Sequence, residues 1–541
     1  MPTDVEWMME SFDYVIVGAG SSGCVLANRL SADPAVKVLL IESGPRDTHP
    51  FIHMPKGIAK IMANVNFLWL YMTKPDHYTA GNAEPWVRGK TLGGSSAVNG
   101  MMYVRGQDAD YDEMARIAGD DWNWKHIGQA YKELENHELG AAPTRGDKGF
   151  LRLTVPKRDR LIDAAIAAGE KLGLTRKVDV NDPQDVERVG YAPRNVYKGK
   201  RQSSAVAFLR PVQSRDNLTV ITDFVVDRLL MDGKRAVGVT GTKAGVPARY
   251  GATREVLLCA GSMGSPAILQ RSGIGPAGHL RSLGVDVVHD SPNVGQNLRE
   301  HRAIVMQFRA DDRASENREY RGLRLVRNVL QYYLLGGSGR MGNATYEAGA
   351  WFKTRPDAPR PDGQFLLAGF TLDHSSPALA TEKHGGFQIC AYLLRPQSLG
   401  SVMIRSADPT ELPEIIPNYH LDPYDRQTMI DVVRYARKYV KQSPLSDLVQ
   451  EETRPGAQYQ SDDEIIAAYD QMGNGAYHAT GTCAAGRDEA AVCDTRLRVR
   501  GIDGLRVIDT SIMPFIVAGN TNGPVTAIAW RAADLIIADH K

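Results

Sequence analysis

A glycine-rich turn near the N-terminus has the residue types that bind a dinucleotide pyrophosphate. It follows the apolar run 13–18, a predicted buried parallel strand, and precedes a helical pattern over 24–30. The spacing is that of Gly18, Gly20 and Gly23. A second predicted strand, 36–42, ends in Glu42, which can accept hydrogen bonds from ribose hydroxyls. The pattern predicts a βαβ unit that binds FAD or NAD, because Glu42 would repel the 2′-phosphate of NADP.

Two kinds of predicted structure follow this unit. Residues 217–222 and 225–239 are predicted as antiparallel strands with an Asp-Gly turn. Between about residues 310 and 470 the glycine turns become rarer, and alternating strands such as 363–369 are interspersed with a helix over 426–442. We expect this stretch to form a separate α+β region.

The composition is that of a soluble globular protein. The 541 residues include 64 Lys+Arg and 63 Asp+Glu, a formal net charge of +1, and 43% are hydrophobic. Such a chain is not disordered, since disorder requires low hydrophobicity and high net charge. The charge balance also gives no default electrostatic affinity for nucleic acid or for an anionic membrane. We therefore expect no nucleic-acid partner.

The cysteines and the chain's apolar segments bear on its compartment. The five cysteines form no C-x-x-C pair, so we expect no metal site and free thiols in a reducing compartment. The acidic N-terminus lacks the basic and apolar regions of a signal peptide. The uncharged run near the C-terminus contains Pro514, Asn520, Asn522 and Pro524, which a lipid-exposed helix tolerates poorly. We expect a cytoplasmic protein with no integral membrane segment.

Further glycine- and serine-rich segments follow the βαβ unit in a fixed order. They are residues 89–103, 261–275, 293–301, 477–482 and 519–524. With these segments the chain resembles the glucose–methanol–choline (GMC) oxidoreductase family over about residues 12–539, and its choline dehydrogenase-like members in particular. The resemblance implies an α/β fold with a Rossmann-like FAD-binding domain, discontinuous in sequence. An α+β substrate domain built on an antiparallel sheet would cover the flavin.

The resemblance also implies domain limits. The FAD-binding domain would comprise residues 12–155, 215–308 and 475–539, and the substrate domain residues 156–214 and 309–474. The family's two sequence regions would span about 12–308 and 395–533.

Carried over by position, the resemblance implies a set of FAD contacts. The diphosphate loop falls on Gly18, Gly20, Ser22 and Gly23, and the ribose acid on Glu42. The other implied contacts are Trp69, Leu92, Gly93, Asn99, Gly100, Met101, Met102, Val226, Asp509, Asn520 and Thr521. Some members attach FAD through a histidine in the glycine–serine loop. Val98 stands at that position here, so we expect non-covalent FAD.

The resemblance implies two catalytic side chains, His478 and Asn522. A neutral imidazole suits removal of the alcohol proton, because its pKa lies near the operating pH. The Asn522 amide would donate to the substrate oxygen as negative charge develops there. Asn522 has a second reading, as a turn residue before a helix whose first turn contains Pro524. For His301 we expect a structural role near the cofactor and no proton transfer.

The predicted reaction is FAD-dependent oxidation of a primary alcohol to the aldehyde, with hydride transfer to flavin N5. Oxygen, a quinone or another electron acceptor would reoxidise the flavin. Two alternatives remain: a hydroxynitrile lyase, which keeps FAD and the histidine without redox turnover, and a catalytically silent flavoprotein. The identity of the alcohol, the acceptor and the oligomeric state stay open.

Overall fold

Two large sheets organise the protein. The computed structural model describes residues 9–62, 64–183, 186–376 and 380–540. Residues 1–8, on which the expectation of no signal peptide rests, lie outside the described residues. In the described ranges the first sheet has seven strands and the second has eight. The predicted fold class, a Rossmann-like α/β unit with an α+β region on a largely antiparallel sheet, is confirmed.

The first sheet contains the predicted βαβ unit. Its strands in spatial order are Leu218–Ile221, Val38–Ile41, Glu10–Val17, Val246–Leu258, Arg235–Lys243 and Phe224–Asp232, and Leu505–Val507 also pairs with Val246–Leu258. Glu10–Val17 runs parallel to both of its neighbours. Its residues Val15 and Ile16 are fully buried, as expected for a parallel strand covered on both faces. The helix Ser21–Leu30 connects it to the next strand.

One predicted pairing in this sheet is wrong. Phe224–Asp232 and Arg235–Lys243 form the expected hairpin around Gly233. Leu218–Ile221, however, pairs in parallel with Val38–Ile41 rather than with the hairpin. The reason lies at Asp223, whose φ of +59° bends the chain. Its N–H donates to the Gly44 carbonyl at 3.0 Å, so the chain passes the end of Val38–Ile41 instead of folding back on itself.

The second sheet is built mainly from the middle of the chain. Its strands in spatial order are Val449–Arg454, Arg302–Ala310, Gly386–Leu393, Gly363–Ala368, Ala348–Phe352, Arg188–Tyr191 and Thr175–Arg176, and Asn474–Gly475 pairs with Arg302–Ala310. All described pairs are antiparallel except that of Thr175–Arg176 with Arg188–Tyr191. The helices Arg160–Lys171 and Pro423–Val440 share a hydrophobic core with these strands. The exact domain limits stay a prediction.

Helices and smaller sheets complete the fold. The other helices are Pro50–His53, Ile58–Ile61, Asp108–Ala118, Trp124–Leu134, Gly261–Arg271, Ala277–Ser282, Gly322–Leu334, Asp462–Met472 and Asn522–Asp539, with a π-helical turn at Ala205–Leu209. Two-stranded sheets pair Leu68–Met72 with Pro85–Gly89, Glu135–His137 with Leu151–Leu153, Val196–Tyr197 with Lys200–Arg201, Ile274–Gly275 with His289–Asp290, and Ser401–Met403 with Glu414–Ile416. None of the helices within the described ranges is long and apolar enough to span a membrane.

The last helix, Asn522–Asp539, packs against Ser21–Leu30, the helix of the βαβ unit. Arg29 joins the two, because its guanidinium lies 4.3 Å from the centre of the Trp530 ring and pairs with Asp534. This packing brings the segment that precedes Asn522 next to the glycine turn.

Candidate active site

The glycine turn is shaped by two close backbone approaches. Gly18 has a φ of +102°, and a Cβ atom there would lie 2.5 Å from the Cys259 carbonyl oxygen. A Cβ on Gly23 would lie 1.9 Å from the Gly18 oxygen. Larger residues therefore cannot replace either glycine without moving the backbone. A Cβ atom on Gly20 would lie 3.9 Å from its nearest neighbour, the Cys259 carbonyl oxygen, so this glycine leaves space for a ligand.

A cavity of about 940 Å³ runs from this turn to the second sheet. Gly18, Gly20 and Ser22 line it, whereas Gly23 packs against the turn below. The Ser22 hydroxyl is buried and has no hydrogen-bond partner among the described residues. An unpaired donor at the start of the helix Ser21–Leu30 is what a bound pyrophosphate would satisfy. The turn thus fits the predicted dinucleotide.

The predicted ribose acid also lies in this cavity. Glu42 follows the strand Val38–Ile41, and its carboxylate accepts hydrogen bonds from the N–H groups of Ala19 at 3.0 Å and Gly44 at 2.9 Å. Burial raises the pKa of Glu42 to about 7. The two hydrogen bonds hold this carboxyl group beside the glycine turn, where ribose hydroxyls can reach it.

The second predicted contact loop is only partly in the cavity. Asn99, Gly100, Met101 and Met102 line it. Leu92 and Gly93 do not: Leu92 is buried in the core of the first sheet, and the Gly93 N–H donates to the Ala19 carbonyl at 2.8 Å. These two predicted contacts therefore lie outside the cavity lining, and their role in FAD binding stays a prediction.

The remaining predicted FAD contacts come together from distant parts of the chain. Trp69, Val226, Asp509, Asn520 and Thr521 all line the cavity. Asp509 follows the strand Leu505–Val507, and its carboxylate accepts from the Gly261 N–H at 2.9 Å and the Ser265 hydroxyl at 2.6 Å. The carboxylate thereby joins two of the sequence motifs at one wall of the cavity.

His478 lies in the wall of the cavity with a second histidine behind it. Its Nδ1 is 2.9 Å from the Nδ1 of His301, and the Nε2 of His301 is 2.9 Å from the Leu394 carbonyl oxygen. Burial lowers the pKa of His301 to about 4. Burial, with contributions from His301 and Arg88, lowers the pKa of His478 well below its usual range. Both imidazoles are thus neutral at pH 7.

These contacts fix the tautomer of His478. A carbonyl oxygen only accepts, so the Nε2 of His301 must carry that ring's proton and its Nδ1 must accept. The proton between the two Nδ1 atoms therefore belongs to His478. The Nε2 of His478 therefore carries no proton, and its lone pair can accept from the Asn520 amide. A general base requires such an atom.

Glu300 holds the backbones of both histidines. One carboxylate oxygen accepts from the N–H of His478 at 2.7 Å and from the N–H of His301 at 3.0 Å. The other lies 3.6 Å from the Arg88 guanidinium. Burial raises the pKa of Glu300 to about 7. The carboxyl group ties the segment that carries the base to the segment that orients it.

The two asparagines of the C-terminal motif have different surroundings. The Asn520 amide nitrogen lies 3.1 Å from the Nε2 of His478. The Asn522 amide instead donates to the Ser21 hydroxyl at 2.8 Å and accepts from the Asn195 side chain at 3.3 Å. The structure therefore places Asn520, and not the predicted Asn522, in contact with the predicted base.

Sequence reasoning missed three features of this site. These are the contact of His301 with His478, the carboxylate of Glu300 that binds both backbones, and the contact of Asn520 with His478. The only available signal was the Glu300–His301 pair inside the 293–301 motif. Nothing in the sequence states that an imidazole there reaches His478, because the contact spans 177 positions.

Comparisons with known proteins agree with this geometry. Two models of the family described as GMC oxidoreductase match residues 12–303 and 396–529. The chain is 37% identical to alcohol dehydrogenase [acceptor] of Pseudomonas putida, covering 97% of this chain and 96% of that one. It is 38% identical to oxygen-dependent choline dehydrogenase of Paraburkholderia phymatum, with 97% and 92% covered. The crystal structure of pyridoxine 4-oxidase from Mesorbium loti superimposes with a TM-score of 0.88 at 30% identity, covering 98% and 99%.

The site yields a prediction about cofactor attachment. Val98 lines the cavity, and its side chain offers no nucleophile to a flavin. We expect acid or heat denaturation of the yellow holoprotein to release all flavin into the supernatant, where absorbance and fluorescence measure it. Flavin that remains with the washed polypeptide would contradict non-covalent binding. Denatured apoprotein mixed with free FAD controls for adsorption.

Proposed function

Because the chain belongs to the GMC oxidoreductase family, an enzyme class that acts on CH–OH donors, we propose that it oxidises an uncharged primary alcohol to the aldehyde. The observation that carries this proposal is the unprotonated Nε2 of the neutral His478, which contacts the Asn520 amide in the cavity. The cavity also contains the dinucleotide turn, so a substrate at His478 would share one enclosed space with the cofactor.

FAD is the cofactor of this family. The residues placed to hold it are the glycine turn with Ser22, the carboxylate of Glu42 and the loop of Asn99 to Met102. When bound, FAD supplies the hydride acceptor. The unpaired Ser22 hydroxyl and the open space at Gly20 support its pyrophosphate lying at this turn.

His478 is proposed as the general base. Its Nε2 would take the hydroxyl proton of the alcohol as the carbon loses its hydride, and the resulting imidazolium would be stabilised by donation from Nδ1 to His301. His301 acts as a positioning residue, because it contacts His478 and fixes which nitrogen is free. Glu300 fixes the backbone of both residues.

Asn520 is proposed to donate to the substrate oxygen. Its amide already points at His478 Nε2, so an oxygen that loses its proton to that atom would lie within reach of the same amide. Asn522 is proposed to have the second role predicted for it, that of a turn residue before the last helix. Its bonds to Ser21 and Asn195 support the start of the last helix and its join to the glycine turn.

The charges near the cavity favour an uncharged substrate. The Lys56 ammonium lies 4.5 Å from the centre of the Phe370 ring and 5.1 Å from that of Tyr320, both of which line the cavity. Burial lowers the pKa of Lys56. These rings are the kind of faces that receive a quaternary ammonium group, and here a cation of the protein occupies them. The neighbouring Glu316 is already paired with Arg340.

We propose oxygen, a quinone or another carrier as the electron acceptor that reoxidises the flavin. A hydroxynitrile lyase would use the same histidine to move a proton without oxidising its substrate. Retention of an oriented base beside an amide donor argues against a catalytically silent flavoprotein.

The proposed reaction is tested by anaerobic addition of alcohols to the holoprotein. We expect the flavin absorbance to bleach with neutral primary alcohols, including 3,3-dimethylbutan-1-ol, which matches choline in shape but lacks its charge. Choline should bleach the flavin at least about tenfold more slowly at equal concentration, because burying an unpaired cation near Lys56 is unfavourable.

Two outcomes would contradict this proposal. Faster bleaching by choline than by its neutral isostere would reject the uncharged substrate. Absence of bleaching by any alcohol, together with cyanide release from a cyanohydrin, would favour the lyase. Dithionite, which reduces accessible flavin without a base, verifies that the flavin is competent in each preparation.

The two asparagines give a matched pair of variants. Asn520→Ala should raise the barrier to flavin reduction by roughly 2–4 kcal/mol, the usual cost of losing one donor to a developing oxyanion. Asn522→Ala should lower flavin occupancy and the melting temperature, with near-normal reduction per bound flavin, because its partners are Ser21 and Asn195. Stopped-flow reduction normalised to flavin content measures both. The reverse pattern would restore Asn522 as the substrate's partner.

A further inference from the structure

The helix Gly322–Leu334 exposes an unusual amount of apolar surface. Leu323 is 88% exposed and Leu334 is 77% exposed. Together with its C-terminal neighbour, the helix forms what we call the apolar helix surface, made of Leu323, Val326, Leu330, Tyr333, Leu334 and Leu335, all of which are at least half exposed. Exposed apolar side chains are normal singly, but a contiguous group of this size marks an interaction site.

The exposed side chains share one face because of their spacing. Steps of three and four residues separate Leu323, Val326, Leu330 and Leu334, which places them in one stripe along the helix. The opposite face is buried through Asn328 and Tyr332. The helix therefore packs on the protein through one face, and its exposed apolar side chains lie on the opposite face.

The inner face of the same helix forms part of the cavity wall. Leu325 and Val329 line the cavity that contains His478. Tyr332 packs with Met54 and Met341 beneath them. One helix thus separates the proposed reaction space from the apolar helix surface.

Charge along this segment has a single sign. Residues 321–340 contain Arg321, Arg324, Arg327 and Arg340 and no acidic residue. The side chains of Arg324 and Arg327 are 53% and 64% exposed and both form ion pairs with the same carboxylate, Glu319, which leaves one positive charge of the two without a counter-charge. The chain as a whole has a net charge of only +1, so this cationic cluster is local. Whole-chain charge gave no reason to expect it.

We propose that the apolar helix surface docks the enzyme peripherally on a membrane that contains anionic phospholipid. This surface combines a stripe of leucines and a tyrosine with bordering arginines. Helices that lie at the lipid interface have this composition. The leucines would enter the acyl boundary while the arginines meet phosphate groups. A second copy of the chain fits this surface less well, since a two-fold contact would offer these arginines only the same segment, which contains no acidic residue.

Docking there has a consequence for the substrate, which rests on the proposed function. Alcohols with long apolar chains partition into bilayers. The helix that would lie in the interface carries Leu325 and Val329 on its inner side, so a membrane-dissolved alcohol would meet the cavity wall directly. Docking itself requires no turnover and is tested without it.

The test is co-sedimentation of the holoenzyme with sucrose-loaded vesicles. We expect binding to vesicles of phosphatidylglycerol and phosphatidylcholine in equal parts, and at least about tenfold weaker binding to phosphatidylcholine alone. The double variant Leu323→Gln/Leu334→Gln should bind the anionic vesicles at least about tenfold more weakly. Arg324→Gln should weaken binding about fivefold, the effect of one interfacial cation, and more so at low salt.

The control removes exposed apolar groups elsewhere. Val178 and Val246 are 78% and 64% exposed but lie outside this helix, so Val178→Gln/Val246→Gln should leave vesicle binding unchanged. Flavin content and melting temperature verify that all variants fold. Equal sedimentation of wild type and Leu323→Gln/Leu334→Gln would overturn the proposal. So would a wild-type dimer in light scattering that the leucine variant converts to monomer, because the surface would then be a subunit contact.

Discussion

The hydrogen bond between the Nδ1 atoms of His301 and His478 is the interaction on which the site depends. His301 directly precedes the strand Arg302–Ala310, and His478 follows Asn474–Gly475, which pairs with that strand. The ring of His301 is held from its other side by Leu394, at the end of Gly386–Leu393. The second sheet thus fixes the position and the tautomer of the base. The first sheet and the last helix bring the glycine turn and Asn520 to the same cavity.

Burial explains why the two histidines of this site are uncharged. Desolvation disfavours the charged form of every group placed here, so it lowers the pKa of both histidines and raises that of Glu300. A neutral base is thereby available at neutral pH. Hydrogen bonds partly offset the cost of burying these polar groups: His301 donates to the Leu394 carbonyl, one Glu300 oxygen accepts from two backbone N–H groups, and His478 accepts from the Asn520 amide.

The sequence predicted the parts of this site that local sterics determine. The glycine turn could be located because Gly18 and Gly23 have no space for a side chain, and the βαβ unit because its strands are continuous apolar runs. Pairing between distant segments was not accessible, as the parallel partner of Leu218–Ile221 illustrates. The contact between Asn520 and His478 was not predicted either, and the catalytic role of Asn522 stays an untested prediction. Side chains two residues apart at a helix start point in nearly opposite directions, and spacing alone does not say which one faces His478. The apolar helix surface was equally hidden, since an amphipathic pattern does not reveal which face is covered.

The role of His478 in removing the substrate proton is measured by anaerobic stopped-flow reduction of His478→Ala. We expect this variant to keep its FAD and to reduce it on the order of 10²-fold or more slowly per bound flavin. His77→Ala, which removes an exposed histidine, serves as the control and should react like the wild type. Reduction of His478→Ala at the wild-type rate would contradict this role, because another group would then have to take the proton.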